Sequence, residues 1–507
     1  MRNLTKYFAL AAGMTLAGAC TYDFPEAEEP TQGEANFTKT VVVGSSLSAG
    51  FMNGALYDAG QKNSFVTILA TQMKAVGGGN FNQPDINATD GYYGVATGIP
   101  GVPDGTILGR LYLKGTTSPS PTPKIPGQAI GPFAGDKAAL NNFSAYGVSI
   151  QTSLAPQLGG PASANPYFNP YYARFASNPG TSTLIGDAAA ALANGSFLVF
   201  WLGNDDVLGY ATNGADQNDP TKPITSVPAF TGAYNAAFNA LLAANANAKG
   251  VVANIPDVTA LPYFSTVNPL AISVPAASRP ALQAGLGQLN AAINGWNAGV
   301  DANGGLTPDQ KAALKRPVLS TAFDKYPIVI LDVTLSDAQV PDGNGGTFTI
   351  PKIRNAKADD KLLLTLTAAS QLLPTGAGID PTKPVNEAQH DKYYLTAAEQ
   401  TEIQARITDF NAVISAAVTS HADRFVLVDV NKLLLSLKTN GASIGGSALS
   451  ATISPPFGGF SLDGIHPNAR GNGYIANAFI ETINSKFKSD IPLCNPNNFA
   501  GNELPVP

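Results

Sequence analysis

The sequence predicts an α/β domain of three layers, with helices on both faces of a central parallel sheet. Three observations predict it. Short apolar runs recur without polar alternation, as strands covered on both faces should. Segments of helical periodicity lie between them. The chain has 507 residues, 44% hydrophobic and 13% charged, so it can bury a large core and is not disordered.

The expected strands are "TVVVG" (40–44), "SFLVFWLG" (196–203), "GVVANIP" (250–256), "YPIVILDV" (326–333) and "RFVLVDV" (424–430). The expected helices begin with "SFVTILATQMKAV" after the first strand and "AYNAAFNALLAANA" before the third. A longer one, "LTAAEQTEIQARITDFNAVISAAV", opens with Thr396 and Glu399 at capping-box spacing. It carries Ile403, Ile407, Phe410 and Ile414 on one face. The last helix places Ile475, Phe479, Ile483 and Phe487 four residues apart. Two stretches, 98–194 and 262–392, are long and rich in loops. They read as insertions without a core of their own, on a single domain spanning 39–507.

The first 20 residues read as a secretory signal: Arg2 and Lys6, an apolar run from Tyr7 to Leu16, then small residues. An acidic tether, 21–38, follows. "LAGAC" resembles a bacterial lipobox, which implies lipidation of Cys20 and a membrane-anchored lipoprotein. The other reading is a plain cleaved signal, leaving Cys20 and Cys494, the two cysteines of the chain, free to pair. A net charge of −6 without a Lys/Arg cluster argues against nucleic-acid partners. No His/Cys cluster or Gly-rich P-loop is present, so neither a metal nor another cofactor is expected.

Ligands of open α/β sheets bind beyond the C-terminal ends of the strands. Three motifs fall at such ends or just before a helix: Gly44-Ser45-Ser46-Leu47-Ser48, Gly203-Asn204-Asp205-Asp206 and Asp463-Gly464-Ile465-His466-Pro467. Singly they read as a helix cap or a turn. Together they supply a hydroxyl, a side-chain amide and an Asp–His pair. Of three histidines, His390 and His421 lie in polar segments around the capped helix, which leaves His466 as the general base by elimination.

With those motifs in that order, the chain resembles the SGNH, or GDSL, hydrolase superfamily. "GSSLSAG" is similar to the family's first block and "DGIHP" to its last, while "GNDDVLGYA", "NPYYARFA" and "NIPDVTALPYF" resemble lipid-anchored SGNH proteins of Bacteroidetes. The resemblance runs from about Thr40 to the C-terminus. It implies a flavodoxin-like SGNH fold and a serine ester hydrolase, an esterase or lipase, acting on an acyl lipid or acylated glycan. It implies Ser46 as nucleophile, His466 as base and Asp463 as the orienting carboxylate. The implied oxyanion donors are the Ser46 N–H, an N–H near Gly147 and the amide of the third block. Ser45 stands where the family has Asp, and one register on the second block puts Ile150 at the family's glycine. In the third block, strict register puts Asp205 at the amide position and a shift of one puts Asn204 there. A carboxylate cannot donate unless protonated. The resemblance also implies an outer-membrane location, facing the periplasm or the exterior. The alternative is a degenerate member that binds lipid or glycan without turnover.

Overall fold

The computed structural model describes residues 29–506, apart from 118, 164, 269–273, 275, 344 and 366–390. The signal segment, Cys20, the first part of the tether and His390 lie outside the described residues.

Five strands form the central sheet: β1 (Thr40–Gly44), β2 (Asn142–Ser144), β3 (Phe197–Trp201), β4 (Lys249–Ala253) and β5 (Phe425–Val428). All neighbours pair in parallel, and the order across the sheet is β5-β4-β3-β1-β2. The chain builds to one side of β1 and then to the other. That reversal leaves a crevice between the C-terminal ends of β1 and β3, where such sheets bind their ligands.

The helices that matter for the site are α1 (Ser46–Ala49), α2 (Phe65–Met73), α3 (Leu184–Leu192), α4 (Asp205–Thr212), α5 (Val227–Ala244), α6 (Arg279–Ala302), α7 (Ala397–Thr419), α8 (Val430–Asn440) and α9 (Ala469–Phe487). Strand residues alternate between two apolar cores. Val41, Val43, Leu198, Phe200 and Val252 face α3, α5 and α7. Val42, Phe197, Val199, Trp201, Val251 and Ala253 face α2 and α9. Both faces are therefore covered, which is why the strands read as unbroken apolar runs. The capping box of α7 forms as expected: the Glu399 N–H donates to the Thr396 hydroxyl, and the Glu399 carboxylate accepts from the Thr396 N–H.

Two expectations need correction. The run 326–333 is not a strand of the central sheet. Val329–Leu331 pairs antiparallel with Ile353–Asn355 instead. It reads as doubly buried because it is doubly buried elsewhere: Val329 and Leu331 join one satellite cluster, Ile328 and Ile330 another. The first of these clusters gathers Leu282, Leu286, Leu289 and Ile293 of α6 with Leu319, Ile350 and Ile353. The second insertion thus has a small apolar core where the sequence reading expects none. The missing fifth strand is β2, whose sequence "NFS" is short and polar. Its place on the edge is secured by side chains: Asn141 Nδ2 donates to Thr40 O and Asn142 Nδ2 to Ser48 O, both at 2.9 Å.

The last helix spans the domain. It starts beside the 461–468 loop, and its final ring, Phe487, lies against Phe197 and the Lys249 ammonium, the first residues of β3 and β4. The leading segment joins there as well. Glu34 N donates to Phe487 O, and Asp490 N donates to Thr31 O.

Gly44 closes β1 where α1 must begin at once. A Cβ there would collide with the Ser48 side chain. Gly44→Ala should therefore destabilise the fold by about 1–3 kcal/mol, read from urea unfolding midpoints. A neutral result would mean that α1 can shift away at no cost.

Candidate functional site

Ser46 is the first residue of α1, directly after β1 and the N-cap Ser45, and is 3% exposed. The Ser45 side chain makes no capping bond, so the N–H groups of this first turn stay uncapped. At the end of β3 the chain turns through Gly203 at φ +117°, a conformation a side chain would strain. Asn204 follows as the N-cap of α4. Its amide is buried, and neither Nδ2 nor Oδ1 has a hydrogen-bond partner among the described residues. An orphaned buried amide costs stability, so such a group calls for a ligand or another explanation.

The third part is the loop before α9. Asp463 gathers four N–H donors. Its Oδ1 accepts from the Ile465 and His466 N–H groups, each at 2.9 Å. Its Oδ2 accepts from the Gly54 N–H at 2.8 Å and from His466 Nδ1 at 3.0 Å. Burial works against its charge, but the His466 ring and these N–H groups outweigh it and hold the carboxyl below the ordinary range. A carboxylate only accepts, so His466 Nδ1 carries the proton. The other nitrogen, Nε2, then presents a lone pair. It is buried and has no hydrogen-bond partner among the described residues.

Ser46, Asn204 and His466 line one cavity of about 80 Å³, partly open to solvent, over the C-terminal ends of the strands. The β1/β3 crevice is flanked by Ser46 on one side and Asn204 on the other, with His466 reaching in from the loop. Asp205 and Gly147 are not on its wall. Gly147 lies in an exposed turn after β2 at φ +74°. Burial raises the Asp205 carboxyl to about 6, opposed by the neighbouring Ser45 hydroxyl and His466 ring. The Ile150 N–H is already engaged, donating to Asp206 Oδ2 at 2.8 Å. His421 packs against Phe238 and is also off the cavity wall.

Several site residues escape sequence reasoning. Phe51 stacks on Tyr146 with ring centroids 4.1 Å apart and sits 5.0 Å from the His466 ring. Gly54 supplies the N–H that helps fix Asp463. Trp201 lines the cavity, with its indole N–H committed to Asn254 O at 3.0 Å. Only their closeness to the serine block in sequence could have pointed to Phe51 and Gly54, and nothing local marks the leucines of α8 that form the far wall.

Among the described residues no group of three or more His, Cys, Asp or Glu is placed to hold a metal ion. No helix among them is long and apolar enough to cross a membrane. Cys494 is half-buried, and burial pushes its thiol up to about 11.

Comparison with family models, curated proteins and solved structures returns no match.

Asp206 makes the electrostatics of this region testable. Burial raises its carboxyl from 3.8 to about 7, offset only in part by the Ile150 N–H and the Thr225 hydroxyl. Between those values the folded chain holds a proton that the unfolded chain has lost, so this group's contribution to stability falls as pH rises through the window. Asp206→Asn should flatten that part of the decline, measured as urea midpoints from pH 3.8 to about 7. An unaltered slope would mean that Asp206 titrates normally in the fold.

Proposed function

We propose that this protein is a serine ester hydrolase of the SGNH type, built on a flavodoxin-like sheet. One observation carries the reading: a buried serine, an unpartnered amide and a histidine whose free nitrogen is held in the acceptor tautomer line the same cavity at the switch point.

The chemistry follows from those groups. An ester enters with its carbonyl carbon against Ser46. His466 Nε2 takes the hydroxyl proton as Oγ forms its bond to that carbon, and Asp463 stabilises the imidazolium that results. The carbonyl oxygen becomes an oxyanion. The Asn204 amide and the Ser46 N–H, at the uncapped start of α1, are the donors offered to it. Collapse of the tetrahedral intermediate breaks the bond to the alcohol, which leaves with the proton from His466. Water, deprotonated by the same nitrogen, then attacks the acyl-serine and releases the acid.

In this reading Asn204, not Asp205, supplies the side-chain donor. The Gly147 position is not used as a donor. The non-catalytic alternative, a lipid or glycan binder, has one observation in its favour: the Ile150 N–H that one family register assigns to the oxyanion is taken up by Asp206. Anchoring through a lipid on Cys20 at the outer membrane belongs to the same proposal. Its support is the sequence alone.

Fluorophosphonate labelling of the purified chain, mapped by mass spectrometry, should modify Ser46, and Ser46→Ala should abolish both labelling and p-nitrophenyl ester hydrolysis. Labelling at Ser45 or Ser48 would refute the assignment, and no labelling at all would favour the binder. Asn204→Ala should lower kcat by about a hundredfold or more with little change in KM, since its bond to the oxyanion strengthens in the transition state. Fractionation tests the anchor: Cys20→Ser should move the protein from the membrane to the soluble fraction, and continued membrane partitioning would exclude it.

A further inference from the structure

We infer that the acyl half of the ester is an aliphatic chain of several carbons, and that helix α8 sets how much of it fits. This rests on the ester-hydrolase reading above and names the substrate class it leaves open.

The polar side chains on the wall are Ser46, Asn204 and His466, with Trp201 and the Tyr474 ring of α9. Ser46, Asn204 and His466 stand at the β1/β3 crevice. Beyond them the wall is Pro256, Val258 and Leu261 after β4, then Leu433, Leu434 and Leu437 of α8 after β5. Among the described residues no Asp, Glu, Lys or Arg lines the cavity. The Trp201 indole N–H, which could have greeted a hydroxyl, already donates to Asn254 O. From β3 to β5 is two strand spacings, about 10 Å. The space thus runs sideways along the sheet edge from the reacting groups into aliphatic side chains.

Ligand chemistry follows from that wall. Sugar hydroxyls seated against Pro256, Val258, Leu261 and the leucines of α8 would lose their hydrogen bonds to water and find none on those side chains. An acetyl group would leave the far end to water, which lacks polar partners on leucine and valine. An alkyl chain meets neither penalty, and it gains by leaving water. The carbonyl end of that chain meets Ser46, Asn204 and His466, and the chain on its acid side runs on to the leucines of α8.

The test compares p-nitrophenyl acetate, butyrate and octanoate on the full protein. kcat/KM should rise along the series, by up to about fourfold for each methylene that enters the cavity. Leu433→Trp and Leu433→Asp, at a half-buried wall position, should collapse the octanoate-to-acetate ratio, with thermal melting used to check each fold. Acetate preferred by the parent, or a ratio that neither variant moves, would overturn the inference. If no ester is turned over and Ser46 is not labelled, the hydrolase reading fails by itself. Displacement of a dansyl-tagged fatty acid by dodecanoate then decides the pocket. Displacement that is weakened in Leu433→Trp supports an aliphatic ligand, and absence of binding overturns it.

Discussion

The site depends on the charge of Asp463. A carboxylate removed from water is costly unless its oxygens are met by donors. Here four N–H groups meet them, from Gly54, Ile465 and both the backbone and ring of His466. The same contacts do three structural jobs. They close the loop before α9, dock that loop on the segment after α1, and decide which imidazole nitrogen carries the proton. Without the charge, the ring would have no reason to keep Nε2 as an acceptor, and the 51–57 segment would be tied to the last part of the chain by Asn53, bonded to Ser461 and Leu462, and by its apolar contacts with Ala469.

The sheet sets the distance scale on which that loop works. Strands β1 and β3 are neighbours, so the residues just past their ends, Ser46 and Asn204, are brought to the two sides of one crevice by backbone pairing alone. Neither needs a long side chain to reach it. Both sit at the start of a helix, Ser46 as the first residue of α1 and Asn204 as the N-cap of α4. The stability cost of leaving Asn204 orphaned is spread over two well-filled cores, one on each face of the sheet.

Much of this was legible in the sequence, for local reasons. Four of the five central strands announce themselves because burial on both faces demands apolar residues at every position. The long helices announce themselves by four-residue spacing and, in α7, by the cap. The three polar motifs mark strand ends and helix starts, which turn chemistry fixes within a few residues. What stayed hidden is what neighbours decide. Asn142–Ser144 is a strand because asparagine side chains hold it to the edge of the sheet, not because its own residues favour one. Val329–Leu331 carries the apolar signature of a central strand but is covered by its own insertion. Asn204 and Asp205 differ by one step at the head of a helix, about 100° of rotation. Asn204 lines the cavity and Asp205 does not, and no local pattern encodes that.

The leading segment meets the fold at the far end of α9, where Thr31 and Glu34 bond to Asp490 and Phe487 beside the first residues of β3 and β4. The cavity lies at the other edge, beyond the last residues of the same strands. Any surface that held the chain by residues preceding Thr31 would therefore grip it from behind. The cavity would open away from that surface, toward whatever diffuses in front of it, and a pull on the attachment would load the sheet and the last helix lengthwise before it reached the loop that carries His466.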